Sequence, residues 1–244
     1  MFRKLCAASR YFTKGEKGLW LVSVSCIVLF FFIFDRKNIL TLCASVIGVT
    51  ALIFNAKGNP FGQFLIVVFS ALYGMISYAF AYYGEMITYL GMTAPMAVFA
   101  WITWLKHPYD GNRAEVRINR LKVREILWMA VMAALVTFVF YFILDAFHTA
   151  NMVPSTISVT TSFVAVWLTY KRSPLFALAY AANDIVLVVL WVLASLTDIS
   201  YISVTICFLI FLVNDVYGFV NWLKIQKRQE RTLEAGAGAQ HGEL

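Results

Sequence analysis

The chain has 244 residues, 61% of them hydrophobic and 14% charged, with a mean hydropathy of +0.75 and a formal net charge of +7. Too little polar surface is available to cover a soluble globule of this length. The composition therefore excludes soluble classes and leaves an integral membrane protein.

A span needs about 20 apolar residues to cross roughly 30 Å of hydrocarbon. Eight segments meet or approach that length: 18–34, 38–56, 61–82, 84–105, 125–147, 151–170, 174–195 and 200–223. The first follows a basic arm (Arg3, Lys4, Arg10, Lys14, Lys17) and could pass for the apolar region of a signal peptide. Asp35, Arg36 and Lys37 come next rather than a small-residue cleavage site, so it reads as a span. The second span ends in Asn55 and Lys57. The third carries Gln63 near its inner end and then Tyr73, Gly74, Ser77 and Tyr78. The fourth opens near Glu85 and closes on Trp101 and Trp104.

The central loop, Lys106 to Glu125, starts with the turn Pro108-Tyr109-Asp110-Gly111. Its basic stretch, 113–125, is predicted to form a helix lying on the anionic inner leaflet. Beyond the fifth and sixth spans, the seventh reads YAANDIVLVVLW (180–191) and the eighth LVNDVYGFVNW (212–222). After Gln226 the tail is polar and rich in Gly and Ala, and it is predicted to be disordered beyond its first turns. Cys6, Cys26, Cys43 and Cys207 show no metal or redox spacing and read as small buried apolar residues.

Two stretches of the chain match. Lys57 precedes Pro60 as Lys171 precedes Pro174, and Trp104-Leu105-Lys106 recurs as Trp222-Leu223-Lys224, at offsets of 114 and 118 residues. The offset equals four spans, an even number, so the halves are parallel repeats about an axis along the membrane normal. The predicted fold is an all-α membrane protein of eight transmembrane helices: two parallel three-helix repeats in a SWEET-like plan, joined by a linker helix and preceded by one extra helix. Its parts are an N-terminal arm and first helix (1–37), the first repeat (38–106), a basic loop and linker helix (107–150), the second repeat (151–226) and a polar tail (227–244). With eight spans, 18 of the 20 Lys and Arg residues fall on one side, which places both termini in the cytoplasm. The net positive charge follows from topology and attraction to anionic lipid, and calls for no nucleic-acid partner.

Polar side chains at membrane depth are costly and mark functional sites. Asn183 and Asp184 lie in mid-span among Ala, Ile, Val and Leu, and Asn214 and Asp215 repeat the pair in the eighth span. Asn214, Tyr217 and Asn221 share one helical stripe, while Asp215, Gly218, Phe219 and Trp222 form the neighbouring one. Such a helix offers amides for hydroxyls, a carboxylate for a cation and aromatic faces for a flat ring. The candidate substrate-binding residues are Asn183, Asp184, Asn214, Asp215, Tyr217, Asn221, Tyr73, Gln63 and Trp101. Glu85 reads equally as a gate or an interfacial carboxylate. Trp104 and Trp222 read as interfacial anchors beside Lys106 and Lys224.

There is no GxxxxGK[ST] phosphate loop, no Arg ladder and no TVGYG filter. The three histidines, His107, His148 and His241, lie in a loop, at a helix end and in the tail, away from any metal site or Ser/His dyad at depth. No cofactor, metal or catalytic residue is expected.

On the span and Lys-x-x-Pro junction from Ser162 to Pro174, the mid-span Asn183, the final helix with Asn214 and Tyr217-Gly218 before a Trp-containing basic end, and Trp101 and Trp104 closing the fourth span, the chain resembles the PnuC family of bacterial vitamin transporters, relatives of the SWEETs. The resemblance covers about residues 38–106 and 151–228. Some members carry an Asn before Tyr-Gly in the first repeat, where this chain has Pro95, Met96, Ala97 and Val98.

The resemblance implies facilitated diffusion of nicotinamide riboside, an unphosphorylated vitamin nucleoside. Uptake would be made unidirectional by a cytoplasmic kinase, in a homo-oligomer of the inner membrane. Thiamine, also a flat cation, or another nucleoside-like vitamin is the alternative substrate, and proton coupling through Asp184 or Asp215 stays open. A membrane-embedded enzyme or an accessory subunit is the distant alternative.

Overall fold

The computed structural model describes residues 11–36, 38–80, 82–149 and 151–241, the side chains of the last six excepted. Cys6, Arg3, Lys4, Arg10 and Lys37 lie outside the described residues. Among the described residues, eight helices are long and apolar enough to cross a membrane, as the sequence predicts. They are α1 (Lys14–Phe34), α2 (Ile39–Ala56), α3 (Pro60–Ala79), α4 (Tyr83–Lys106), α5 (Val123–Ala146), α6 (Met152–Tyr170), α7 (Leu175–Ser195) and α8 (Ile202–His241).

Helix ends follow local chemistry. Thr13 and Glu16 form a capping box at the start of α1, and Pro60 sits in the first turn of α3, where its missing N–H costs nothing. Helix α2 stops at Gly58 (φ +68°) and α6 at Arg172 (φ +56°), both left-handed residues that end a helix. Within α4 a π-helical turn spans Tyr89–Thr93, immediately before Pro95, which cannot donate a backbone bond back into that turn.

Six helices close a ring in which α2 packs on α3, α3 on α4, α4 on α6, α6 on α7, α7 on α8 and α8 on α2. Helix α1 lies outside against α2 and α8, and α5 lies outside against α6 and the start of α4. Most of α5 faces outward, with only Ala133 and Leu144 buried among its residues. The two outer helices are pinned alike. Glu16 near the start of α1 pairs with Lys57 at 3.1 Å, and Glu125 near the start of α5 pairs with Lys171 at 2.8 Å.

Three sequence expectations change. First, the basic stretch after Gly111 is no helix. Pro108–Tyr109 (β1) and Asn112–Val116 (β2) pair as an antiparallel hairpin across Asp110-Gly111, both at positive φ, which suits a primed two-residue turn. Second, the tail is not disordered after its first turns, because α8 continues to His241. Third, Trp104 and Trp222 are not interfacial anchors. Both are fully buried, their rings 5.3 Å apart with Phe176 beside them. Trp104 Nε1 donates to Thr169 O at 2.9 Å and Trp222 Nε1 to Asn55 O at 2.7 Å. Thr169 and Asn55 are themselves 114 residues apart, the same spacing as Lys57 and Lys171.

Candidate functional site

At the centre of the ring, five helices turn one stripe each toward a common point. Ile66, Phe69 and Ser70 come from α3, Tyr89 and Thr93 from the π-helical part of α4, Tyr180, Asn183 and Asp184 from α7, Phe208, Phe211 and Asp215 from α8, and Leu52 from α2. The spacings are i, i+3, i+4 or i+7, those of a single helical face. The cavity they enclose is about 30 Å³, room for a couple of water molecules by the measure that one needs about 10–15 Å³.

The polar groups here are not self-sufficient. Asn183 Oδ1 accepts from Thr161 Oγ1 at 2.7 Å and Ser162 Oγ at 3.0 Å, which fixes the amide from α6. The carboxyl groups of Asp184 and Asp215 lie within hydrogen-bond reach of each other. Yet among the described residues no N–H or O–H donor reaches Asp184 Oδ2, and the hydroxyls of Ser70 and Thr93 are also without partners. Buried polar atoms are ordinarily satisfied, so these leave hydrogen-bonding capacity open toward the cavity. Two carboxyl groups in contact at this depth require a proton or a cation between them. The walls are aromatic: Phe69 and Phe211 stand 5.4 Å apart, Phe208 and Phe211 5.6 Å.

Of the residues the sequence nominates, Asn183, Asp184 and Asp215 meet in this cavity. Tyr73 sits beside it, accepting from Trp191 Nε1 at 2.7 Å and packing 4.3 Å from Tyr89. Asn214 turns the other way: its Nδ2 donates to Ser23 Oγ of α1 and to Ile210 O. Tyr217 donates to Glu16 Oε1, and Asn221 to Ala56 O. Gln63 donates to Asn55 Oδ1 at 2.9 Å. Trp101 packs 5.2 Å from Phe64, which is exposed on the outside of the ring. These five join helices to one another rather than lining the cavity.

Glu85 is fully buried, not interfacial. Its Oε1 accepts from Ser158 Oγ at 3.0 Å, while Oε2 has no hydrogen-bond partner among the described residues. Sequence reasoning missed Ser70, Tyr89, Thr93, Tyr180, Phe208 and Phe211. Phe208 and Phe211 share the stripe of Asp215, and Tyr180 that of Asp184, so extending each stripe by one or two turns would have found them.

A family model described as nicotinamide mononucleotide transporter matches residues 38–224. The nicotinamide riboside transporter PnuC of Neisseria mucosa is 29% identical over 219 residues, covering 87% of this chain and 82% of that relative. The crystal structure of the vitamin B3 transporter PnuC is similar with a TM-score of 0.78 and 25% identity, covering 89% of this chain and 94% of the other. With the family match running through both ends of the helix ring and the central cavity, the chain belongs to the nicotinamide mononucleotide transporter family, whose members are transporters and not enzymes.

Proposed function

We propose that this protein carries nicotinamide riboside across the bacterial inner membrane by facilitated diffusion, binding it in the central cavity between the two halves. One observation carries the site assignment. The Asp184–Asp215 pair and the unpartnered hydroxyls of Ser70 and Thr93 share a closed, aromatic-walled space at mid-membrane. A flat pyridinium cation suits carboxylates and aromatic faces, and its amide and ribose hydroxyls suit Asn183 and the two hydroxyls. The similarity to a nicotinamide riboside transporter over most of both chains supports the same substrate.

At about 30 Å³ the cavity is far below the roughly 300 Å³ of small-molecule pockets. Loading therefore needs the halves to separate, as rocking bundles of parallel repeats do. The duplicated unit is read as three helices in a ring with its companion, both termini are cytoplasmic, and the protein assembles as a homo-oligomer. Without coupling, the carrier only equilibrates its substrate. A cytoplasmic kinase makes uptake unidirectional by converting the cation to an anionic nucleotide that no longer suits a pair of carboxylates.

The test is purified protein in liposomes offered labelled nicotinamide riboside, thiamine and riboflavin. Entry of the riboside faster than into empty vesicles is expected. Entry of thiamine alone would reassign the substrate, and entry of none would defeat the reading.

A further inference from the structure

The segment joining the two halves does more than connect them. Residues 107–122 cross the face of the ring that carries the start of α1 and the end of α8, directly over the Trp104–Trp222 pair. Val116 is fully buried against that pair. Its N–H donates to Gly58 O at 2.9 Å, on the α2–α3 turn of the first half. Three residues on, Asn119 N–H donates to Arg172 O at 3.1 Å, on the α6–α7 turn of the second. Gly58 and Arg172 are counterparts at the same 114-residue offset, both left-handed. The connector thus grips the same point of each half, on either side of the paired tryptophans.

The extended end of α8 holds it there. Gln229 is buried, accepts from Ile118 N–H at 3.0 Å and donates to Val116 O at 3.1 Å and Glu115 Oε1 at 2.9 Å. Arg228 pairs with Glu115, and Arg120 with Glu230 at 2.7 Å. The polar continuation of α8 beyond the membrane thereby has a task, and it is a task for both halves at once. Two bodies that must part to open this face cannot do so while one strap is bonded to both.

We propose that the 107–122 connector is a latch on this face of the transporter, and that opening here requires Val116 to leave Gly58 and the tryptophan pair. The proposal takes the family's transport activity as given, but its test uses no vitamin, so it can fail while the substrate assignment stands, and the reverse.

The test uses the full chain in proteoliposomes with Cys6, Cys26, Cys43 and Cys207 replaced by Ser. A reporter Ala177→Cys sits in the same buried cluster as the tryptophan pair, and a membrane-impermeant maleimide is added on the face bearing the start of α1 and the end of α8. Gln229→Ala, which removes the bonds to Ile118 N–H, Val116 O and Glu115, and Val116→Ala, which removes apolar packing against the tryptophan pair, are each expected to speed reporter labelling about fivefold or more by shifting the opening equilibrium. A control reporter, Ala194→Cys, lies in the separate aromatic cluster around Trp191 and should stay unlabelled. Unchanged or slower labelling of Ala177→Cys overturns the latch, and so does equal acceleration at both reporters, which would mean general loosening. Should Val116→Ala not fold, Arg120→Ala removes only an exposed ion pair. It is expected to act in the same direction, more weakly, and an absence of effect in both it and Gln229→Ala counts against the proposal.

Discussion

Arg172 occupies the left-handed position that Gly58 fills in the other half. A side chain there costs about 1–2 kcal/mol that glycine avoids. Arg172→Gly is therefore expected to raise stability by about 1 kcal/mol, read as a higher melting temperature in detergent. The buried tryptophans behave oppositely. Trp222 fills space against Trp104 and Phe176 and satisfies Asn55 O, so Trp222→Ala should cost about 3–5 kcal/mol, seen as a lower melting temperature or loss of folded protein. The two mid-span asparagines also part company. Asn183→Leu removes an amide from the cavity wall and should abolish riboside binding measured by calorimetry. Asn214→Leu should leave binding measurable while loosening α1, since its amide bonds Ser23. Both asparagines precede an Asp within an apolar span, and a rotation of about 100° per residue decides which face each meets.

At the scale of elements, the Lys-x-x-Pro mark acquires a physical meaning. Each Lys is the partner of a Glu at the start of the preceding outer helix, so α1 and α5 are held by the same kind of ion pair. The two pairs are not equally buried. Side-chain exposure is 18% and 3% for Lys57 and Glu16, against 26% and 25% for Lys171 and Glu125. Lys57→Ala leaves a buried carboxylate short of its cation and should cost about 1–3 kcal/mol, whereas Lys171→Ala should cost less than about 1 kcal/mol. Thermal melts of both variants check the difference. The hairpin was legible in outline, because Asp110-Gly111 is a strong two-residue turn signal. Its basic flanks instead suggested a surface helix, and only the docking of Val116 onto the buried tryptophans explains why the backbone stays extended.

At the scale of the molecule, the ring is symmetric in its helix contacts while the cavity is not. The α7 and α8 side supplies Asn183, Asp184 and Asp215, and the α3 and α4 side supplies Ser70, Tyr89 and Thr93. The proposed facilitated diffusion carries no net proton with the substrate, so a proton held by the carboxyl pair stays on the protein while the cation binds beside it. Riboside uptake into liposomes is thus expected to continue at an unchanged rate after the proton gradient is collapsed with an uncoupler. A drop of about tenfold or more would instead make the pair a proton carrier.

Composition and hydrophobic run length by themselves determined the membrane class and the eight helices, because hydrocarbon thickness and backbone hydrogen bonding leave a chain this apolar few alternatives. The mid-span Asn183, Asp184 and Asp215 were legible for the same reason, since a polar group at that depth needs a partner. What the tertiary structure decided was which partner each polar residue meets. Asn214, Tyr217 and Asn221 turned to neighbouring helices, the two tryptophans turned inward to cross-bond the halves, and the connector became a strap over them. Those outcomes depend on helix rotation and on contacts between residues more than a hundred positions apart, and no local pattern in the chain encodes either.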